Sequence, residues 1–177
     1  MLELKDATLT LEGRELFRGL SLMALDGQLT CITGRAGVGK TAIIQVMLGF
    51  VLLDDGLVSI DGELLTPLSA PVFRKMMAYV PQKREVNIRP AEYETTGLET
   101  LWAPYNVRHY QLTAIDEHLD IAPLAQKRII IADDPDTAML SVLTSMAAGG
   151  HTVIVTSERE EYLNLADRVV EIERLRE

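Results

Sequence analysis

Gly34, Gly39, Lys40 and Thr41 stand in the spacing Gly-x-x-x-x-Gly-Lys-Thr, a set of residue types suited to holding phosphate groups and a divalent cation. Glycines let the loop Gly34, Arg35, Ala36, Gly37, Val38, Gly39 curl with its backbone N–H groups turned inward as an anion nest, at positions where a Cβ would clash with phosphates. Lys40 supplies a point charge for the β- and γ-phosphates, and the Thr41 hydroxyl is sized to ligate magnesium. A helix beginning near Lys40 would add its positive dipole end. About ninety residues downstream, the run RIIIADDP ends in Asp133 and Asp134. One of these carboxylates can hold magnesium through its water shell while its neighbour faces an attacking water. A paired aspartate after an apolar strand is otherwise a solvated strand end or a helix cap, so the upstream loop is what lends it the metal-binding reading.

Such a loop needs a strand before it and a helix after it. Residues 28–33 (QLTCIT) are compact and β-branched and predict a central strand, while TAIIQVMLGF predicts a mostly buried helix. Residues 2–11 (LELKDATLTL) alternate apolar and polar as a half-buried strand does, Glu12-Gly13 breaks the pattern as a turn, and Leu20 to Leu25 alternates again. Leu57 to Leu65 carries Asp61-Gly62, a two-residue hairpin signal, so antiparallel strands flank the loop unit. Residues 73–82 (FRKMMAYVPQ) begin as a helix and end as a short strand. The apolar run before Asp133 has the pattern of a buried parallel strand. A helix is predicted over Thr137 to Ala148, stopped by Gly149-Gly150, then a strand from Thr152 (TVIVT) and a last one over Asp167 to Ile172. Residues 83–127 are punctuated by Pro90 and Pro104 and carry one amphipathic helix over Gln111 to Leu124. With no internal repeat or low-complexity linker, residues 1–177 read as a single domain.

Composition narrows the partners. The 177 residues are 47% hydrophobic and 24% charged, the profile of one globular domain, and a net charge of −9 argues against general nucleic-acid or anionic-membrane binding. Lys83 and Arg84 are only a local basic pair. No run approaches the roughly 18 apolar residues of a membrane span, so a cytoplasmic location without direct membrane insertion is expected. Cys31 is a single cysteine in an apolar run, a small buried side chain with no internal disulfide available. His109 and His118 lack metal-ligand spacing and read as surface residues, and His151 simply precedes a strand. Tyr93, Trp102, Tyr105 and Tyr110 cluster between residues 83 and 127 as the core of a small subdomain, with an aromatic interface as the alternative.

In chain order, LELKDATLTLEGRELFRGLSL, the Gly34 to Thr41 loop, DDGLVSIDGELL, RKMMAYVPQ, the acidic strand and ADRVVEIE resemble the ATP-binding cassette of ABC-type ATPases, over nearly the whole chain. The resemblance implies an α/β P-loop NTPase fold: a mainly parallel central sheet, an N-terminal antiparallel β subdomain, and a reduced helical insertion over roughly 83–127. It implies ATP and Mg2+ as ligands, with Thr41, Gln82 and Asp133 toward the metal. Gln82 matches the family's Q-loop glutamine, which approaches both the magnesium and the attacking water. Asp134 stands where the family has its catalytic glutamate, one methylene shorter, and Ser157 stands in place of the switch histidine. Leu11 falls at the adenine-stacking position and offers no ring face. Leu140 replaces the D-loop aspartate, and nothing between Gln82 and Asp133 reads as the Leu-Ser-Gly-Gly-Gln signature, Thr96-Gly97 being a poor echo. The function implied is a slowly hydrolysing, transport-related ATP-binding subunit working with a partner cassette chain or membrane subunit. The alternative is a degenerate ATP-binding regulatory or interaction module. A small P-loop kinase is a third reading, opposed by the antiparallel opening and by the lack of an arginine-rich lid in 83–127.

Overall fold

Alternating side chains make β1 (Leu2–Leu11) and β2 (Arg14–Ala24) two strands of one half-buried sheet, paired antiparallel from Leu2 opposite Ala24 to Leu11 opposite Arg14. Their turn residues Glu12 and Gly13 have φ of 52° and 77°, the two-residue turn whose twist suits a hairpin. After β3 (Leu29–Thr33) and α1 (Lys40–Met47) the chain returns to the first sheet as β4 (Asp55–Ile60) and β5 (Glu63–Leu64), joined by the Asp61-Gly62 turn. Because β4 pairs with β1, the strand order is β2-β1-β4-β5, antiparallel throughout. The computed structural model describes residues 1–82 and 122–173.

The second sheet is parallel, in the order β6-β7-β8-β3-β9. Here β6 (Met77–Val80) follows α2 (Ala70–Arg74), and β7 (Ile129–Asp133) follows α3 (Ala122–Ala125). A 3-10 turn at Thr137–Met139 and α4 (Leu140–Ala148) lead to β8 (Thr152–Thr156), and α5 (Glu160–Leu165) leads to β9 (Arg168–Glu171). Central strands in such a sheet are covered on both faces, hence their unbroken apolar runs. Ile129 and Ile131 of β7 enter one core with Leu2, Leu4, Ile43 and Ile44, whereas Ile130 and Ala132 enter a second with Leu143, Met146 and Tyr162. The parallel sheet is thus sandwiched between the antiparallel sheet with α1 on one side and α4 with α5 on the other. This is the α/β P-loop architecture anticipated above.

Three elements differ from the sequence reading. β2 begins at Arg14 rather than Leu20, because the tight hairpin recruits the polar stretch before Leu20 onto the β1 ladder. The single helix expected over Thr137 to Ala148 is split, its first turn being 3-10 with the Asp136 side chain accepting from Met139 N at 3.3 Å. α5 was not anticipated: six residues are too few for a 3.6-residue period to register. The Gly149-Gly150 stop is as expected, Gly150 adopting φ 96° and His151 N donating to Met146 O. Residues Lys83, Arg84, Pro90, Tyr93, Thr96, Gly97, Trp102, Pro104, Tyr105, His109, His118 and most of the insertion expected over 83–127 lie outside the described residues, as does its Gln111 to Leu124 helix up to residue 121, Leu124 itself falling in α3.

At the end of the parallel sheet away from the loop, Arg128 bridges Asp26 at 2.7 Å and Asp61 at 2.5 Å, tying both sheets together. The Arg128 guanidinium holds the Asp61 carboxyl below its usual value. For Asp26, partial burial acts to raise the value, but bonds from the Met1 amine, Thr152 and Arg128 outweigh it and bring it down. Among the described residues no helix is long and apolar enough to cross a membrane.

Candidate functional site

The loop leaves β3 at Gly34, where φ is 148° and a Cβ would lie 2.5 Å from Ile172 O, so only glycine fits. It enters α1 at Gly39, the N-cap, with φ 110°, where a Cβ would press on Leu16 Cβ at 3.3 Å. Between these two points Arg35, Ala36 and Gly37 are exposed, while Val38 is buried and its N–H donates to Arg35 O at 3.1 Å. The loop is therefore pinned through Val38 and open across its crest. Lys40, the first residue of α1, turns back over the loop: Nζ donates to Gly34 O, to Arg35 O at 3.3 Å and to Glu158 Oε1 at 2.5 Å.

The parallel register brings the acidic residues to the same end. Asp133 lies opposite Thr156 across the β7–β8 pair, and Thr156 opposite Ile32 across β8–β3, so these strand ends converge at the carboxyl edge where open α/β sheets bind ligands. Asp133 is 5% exposed, its Oδ2 accepting from Thr41 Oγ1 at 2.9 Å and its Oδ1 from Thr156 Oγ1 at 2.6 Å. Asp134 sits at φ 41°, held by its N–H donating to Thr156 O at 2.9 Å. Its carboxylate accepts from Gln82 Nε2 at 3.0 Å and lies 3.9 Å from Arg159 Nε. Ser157 is fully buried, and its Oγ accepts from Arg159 N at 3.2 Å, shaping the turn that carries Glu158 and Arg159.

The structure thus gathers Lys40, Thr41 and Asp133 into one cluster and Gln82 with Asp134 into an adjoining one. Leu11 stands apart at the β1–β2 turn, half-buried against the larger core. Leu140 opens α4 and packs on the second core. Thr156, Glu158 and Arg159 also belong to the site, although the sequence reading passed over them. Thr156 carries a weak signal as a hydroxyl closing the apolar run TVIVT; an adjacent charged pair after a strand carries none. Beneath the site, burial pushes the Cys31 thiol up to about 11, with a smaller opposing pull from the Ser157 backbone, so it stays protonated and unreactive. Burial likewise raises the Tyr162 phenol well above its usual range, and its OH donates to Asp136 O at 2.7 Å, bracing the segment after Asp134.

The Thr41 hydroxyl and the Asp133 carboxylate are adjoining oxygen donors of the hard type that magnesium prefers, so the residues present fit that ion. Among the described residues no group of three or more His, Cys, Asp and Glu could hold a metal. The remaining ligands would therefore be phosphate oxygens and water.

Known proteins resemble the chain in sequence and in fold. The family model described as ABC transporter matches residues 17–142. The chain is 27% identical over 205 residues to the Fe(3+) ions import ATP-binding protein FbpC 2 of Pectobacterium atrosepticum, covering 96% of this chain and 59% of that protein. It is 27% identical over 194 residues to the aliphatic sulfonates import ATP-binding protein SsuB 2 of Agrobacterium fabrum, covering 92% of this chain and 72% of that protein. The chain therefore spans about three fifths of the iron-import relative. Among solved structures, a nucleotide-free ATP-binding cassette from an ABC transporter superposes with a TM-score of 0.69 at 16% identity, covering 98% of this chain and 88% of that one.

Proposed function

Because the chain belongs to the ABC transporter family, we propose that it is the ATP-binding subunit of an ABC-type assembly, taking ATP with magnesium at the loop between β3 and α1. The observation that carries this reading is the Thr41–Asp133 contact at 2.9 Å beside Lys40: a phosphate-directed cation and two magnesium-directed oxygens on one short arc. Lys40 binds the β- and γ-phosphates, Thr41 and Asp133 hold magnesium, and the exposed crest from Arg35 to Gly37 offers backbone donors. Magnesium, when bound, neutralises the developing charge on the phosphates. The cargoes named for the relatives differ, iron in one and sulfonates in the other, so the cargo is not carried over. A partner cassette chain or membrane subunit would place this chain at the cytoplasmic face of a membrane and complete the site with the signature element. Membership of this family displaces the small-kinase reading.

Titration calorimetry tests the proposal directly. The chain binds magnesium-ATP measurably and prefers it to magnesium-GTP by less than about tenfold, since Leu11 offers apolar area without a ring to stack on. Absence of magnesium-ATP binding would remove the assignment. Strong ATP selectivity would show that a different side chain supports the base.

Hydrolysis is expected to be slow. Gln82 donates to the Asp134 carboxylate and Arg159 lies close by, and that carboxylate reaches one methylene less far than glutamate. Asp134→Glu should raise phosphate release by at least about tenfold if reach alone limits a general base worth 10²–10⁴ in rate. A brisk wild-type rate that collapses in Asp134→Ala would instead show that aspartate suffices. The same contacts, together with the burial of Ser157, favour a second reading, a nucleotide-binding interaction module without meaningful turnover. An Asp134→Glu variant as slow as wild type would select it.

A further inference from the structure

Lys40 has no N–H donor to spare. An ammonium carries three, and here they are directed at Gly34 O, Arg35 O and Glu158 Oε1. The two carbonyls belong to the loop that Lys40 folds over. Glu158 comes from the turn after β8, 118 residues along the chain, and it is the only one of the three partners with a full negative charge. Its side chain is 52% exposed against 14% for that of Lys40, so it is the partner most able to leave. The backbone on either side is held in place: Ser157 N donates to Ile32 O at 3.0 Å, and Arg159 N donates to Ser157 Oγ at 3.2 Å. Glu158 is therefore a half-exposed carboxylate on a fixed turn, placed against the Lys40 charge.

We propose that Glu158 is an internal anionic gate, competing with nucleotide phosphate for Lys40 and exchanged for it on binding. The proposal rests on the reading of Lys40 as a phosphate ligand. One ammonium whose three donors are already committed cannot serve both anions. Binding therefore requires Glu158 to swing away, and every phosphate-bearing ligand loses the same increment of affinity whatever its base. The same turn faces the acidic side of the site: Arg159, next in the chain, lies 3.9 Å from Asp134.

The test is titration of the purified chain with magnesium-ATP and with magnesium-GTP, comparing wild type, Glu158→Gln, Lys40→Ala and the double variant. Glu158→Gln is expected to bind both nucleotides more tightly by the same factor, roughly twofold to fivefold, the scale of a partly exposed ion pair. The double variant is expected to bind no better than Lys40→Ala, because the gate acts only through Lys40. Glu158→Ala guards against a residual amide contact and should behave alike. Wild-type or weaker affinity in both Glu158 variants, with Lys40→Ala still impaired, overturns the gate and leaves the phosphate site standing. A gain that persists in the Lys40→Ala background also overturns it. Equal affinity of wild type and Lys40→Ala overturns the phosphate site and the gate with it.

Discussion

Lys40→Ala lowers magnesium-ATP affinity by well over tenfold and leaves the fold intact. The Lys40 side chain is only 14% exposed, and a charge-assisted contact made in such surroundings contributes about 1.5–3 kcal/mol, roughly 10- to 150-fold in affinity. The fold should tolerate the change, for two reasons. Alanine is the best helix former for the opening position of α1, and the lost ion pair has a half-exposed partner in Glu158. Thermal unfolding should therefore differ by only a few degrees while calorimetry shows the loss. Equal affinity for the two proteins would mean that phosphate is held elsewhere.

The second large effect is at Asp133, where ligand binding and stability separate. In Asp133→Ala the Thr156 hydroxyl, buried with its residue at 0% exposure, still accepts from Asp134 N at 3.0 Å but has no acceptor for its own proton, and a buried donor left unsatisfied costs about 1–3 kcal/mol. For a domain of this size each kcal/mol lowers Tm by about 2–4 °C. Asp133→Asn keeps the shape and one acceptor oxygen but removes the charge, so its stability loss should be smaller. Both variants should lose most of the gain in ATP affinity that magnesium confers on wild type, because each removes the carboxylate that stands beside Thr41. The readout is the ratio of ATP affinities with and without magnesium, measured alongside Tm. An Asp133→Asn protein with a wild-type ratio would show that the metal rests on other oxygens.

Much of this was legible in the chain because the chemistry is local. The loop from Gly34 to Thr41 is contiguous, and its glycines, cation and hydroxyl are dictated by phosphate geometry whatever surrounds them. Burial, too, is written locally: the unbroken run Ile129–Ala132 and the run TVIVT could only be strands covered on both faces. Asp61-Gly62 and Glu12-Gly13 marked their hairpins because few residue pairs accept positive φ at successive positions. The resemblance of successive segments then implied which positions Gln82, Asp134, Ser157 and Leu11 occupy.

Tertiary structure decided what depends on register and on charges meeting through space. Nothing in β1 says that it pairs with β4 across the whole loop unit, since alternation fixes a face and not a neighbour. The hydroxyl of Thr156 reaches Asp133 only because β7 and β8 are parallel and in that register. Gln82 meets Asp134 across 52 residues and Glu158 meets Lys40 across 118, distances over which side-chain type alone predicts no contact. Charged residues after a strand read as solvated ends, and Glu158 and Arg159 became parts of the site only when β8 placed their turn between the loop and the acidic strand. The amino-acid sequence thus determined that this chain has a loop of the type suited to phosphate and which strand leads into it. The order of the strands decided which carboxylate stands against Lys40, because a parallel sheet brings to one edge residues that the chain itself keeps far apart.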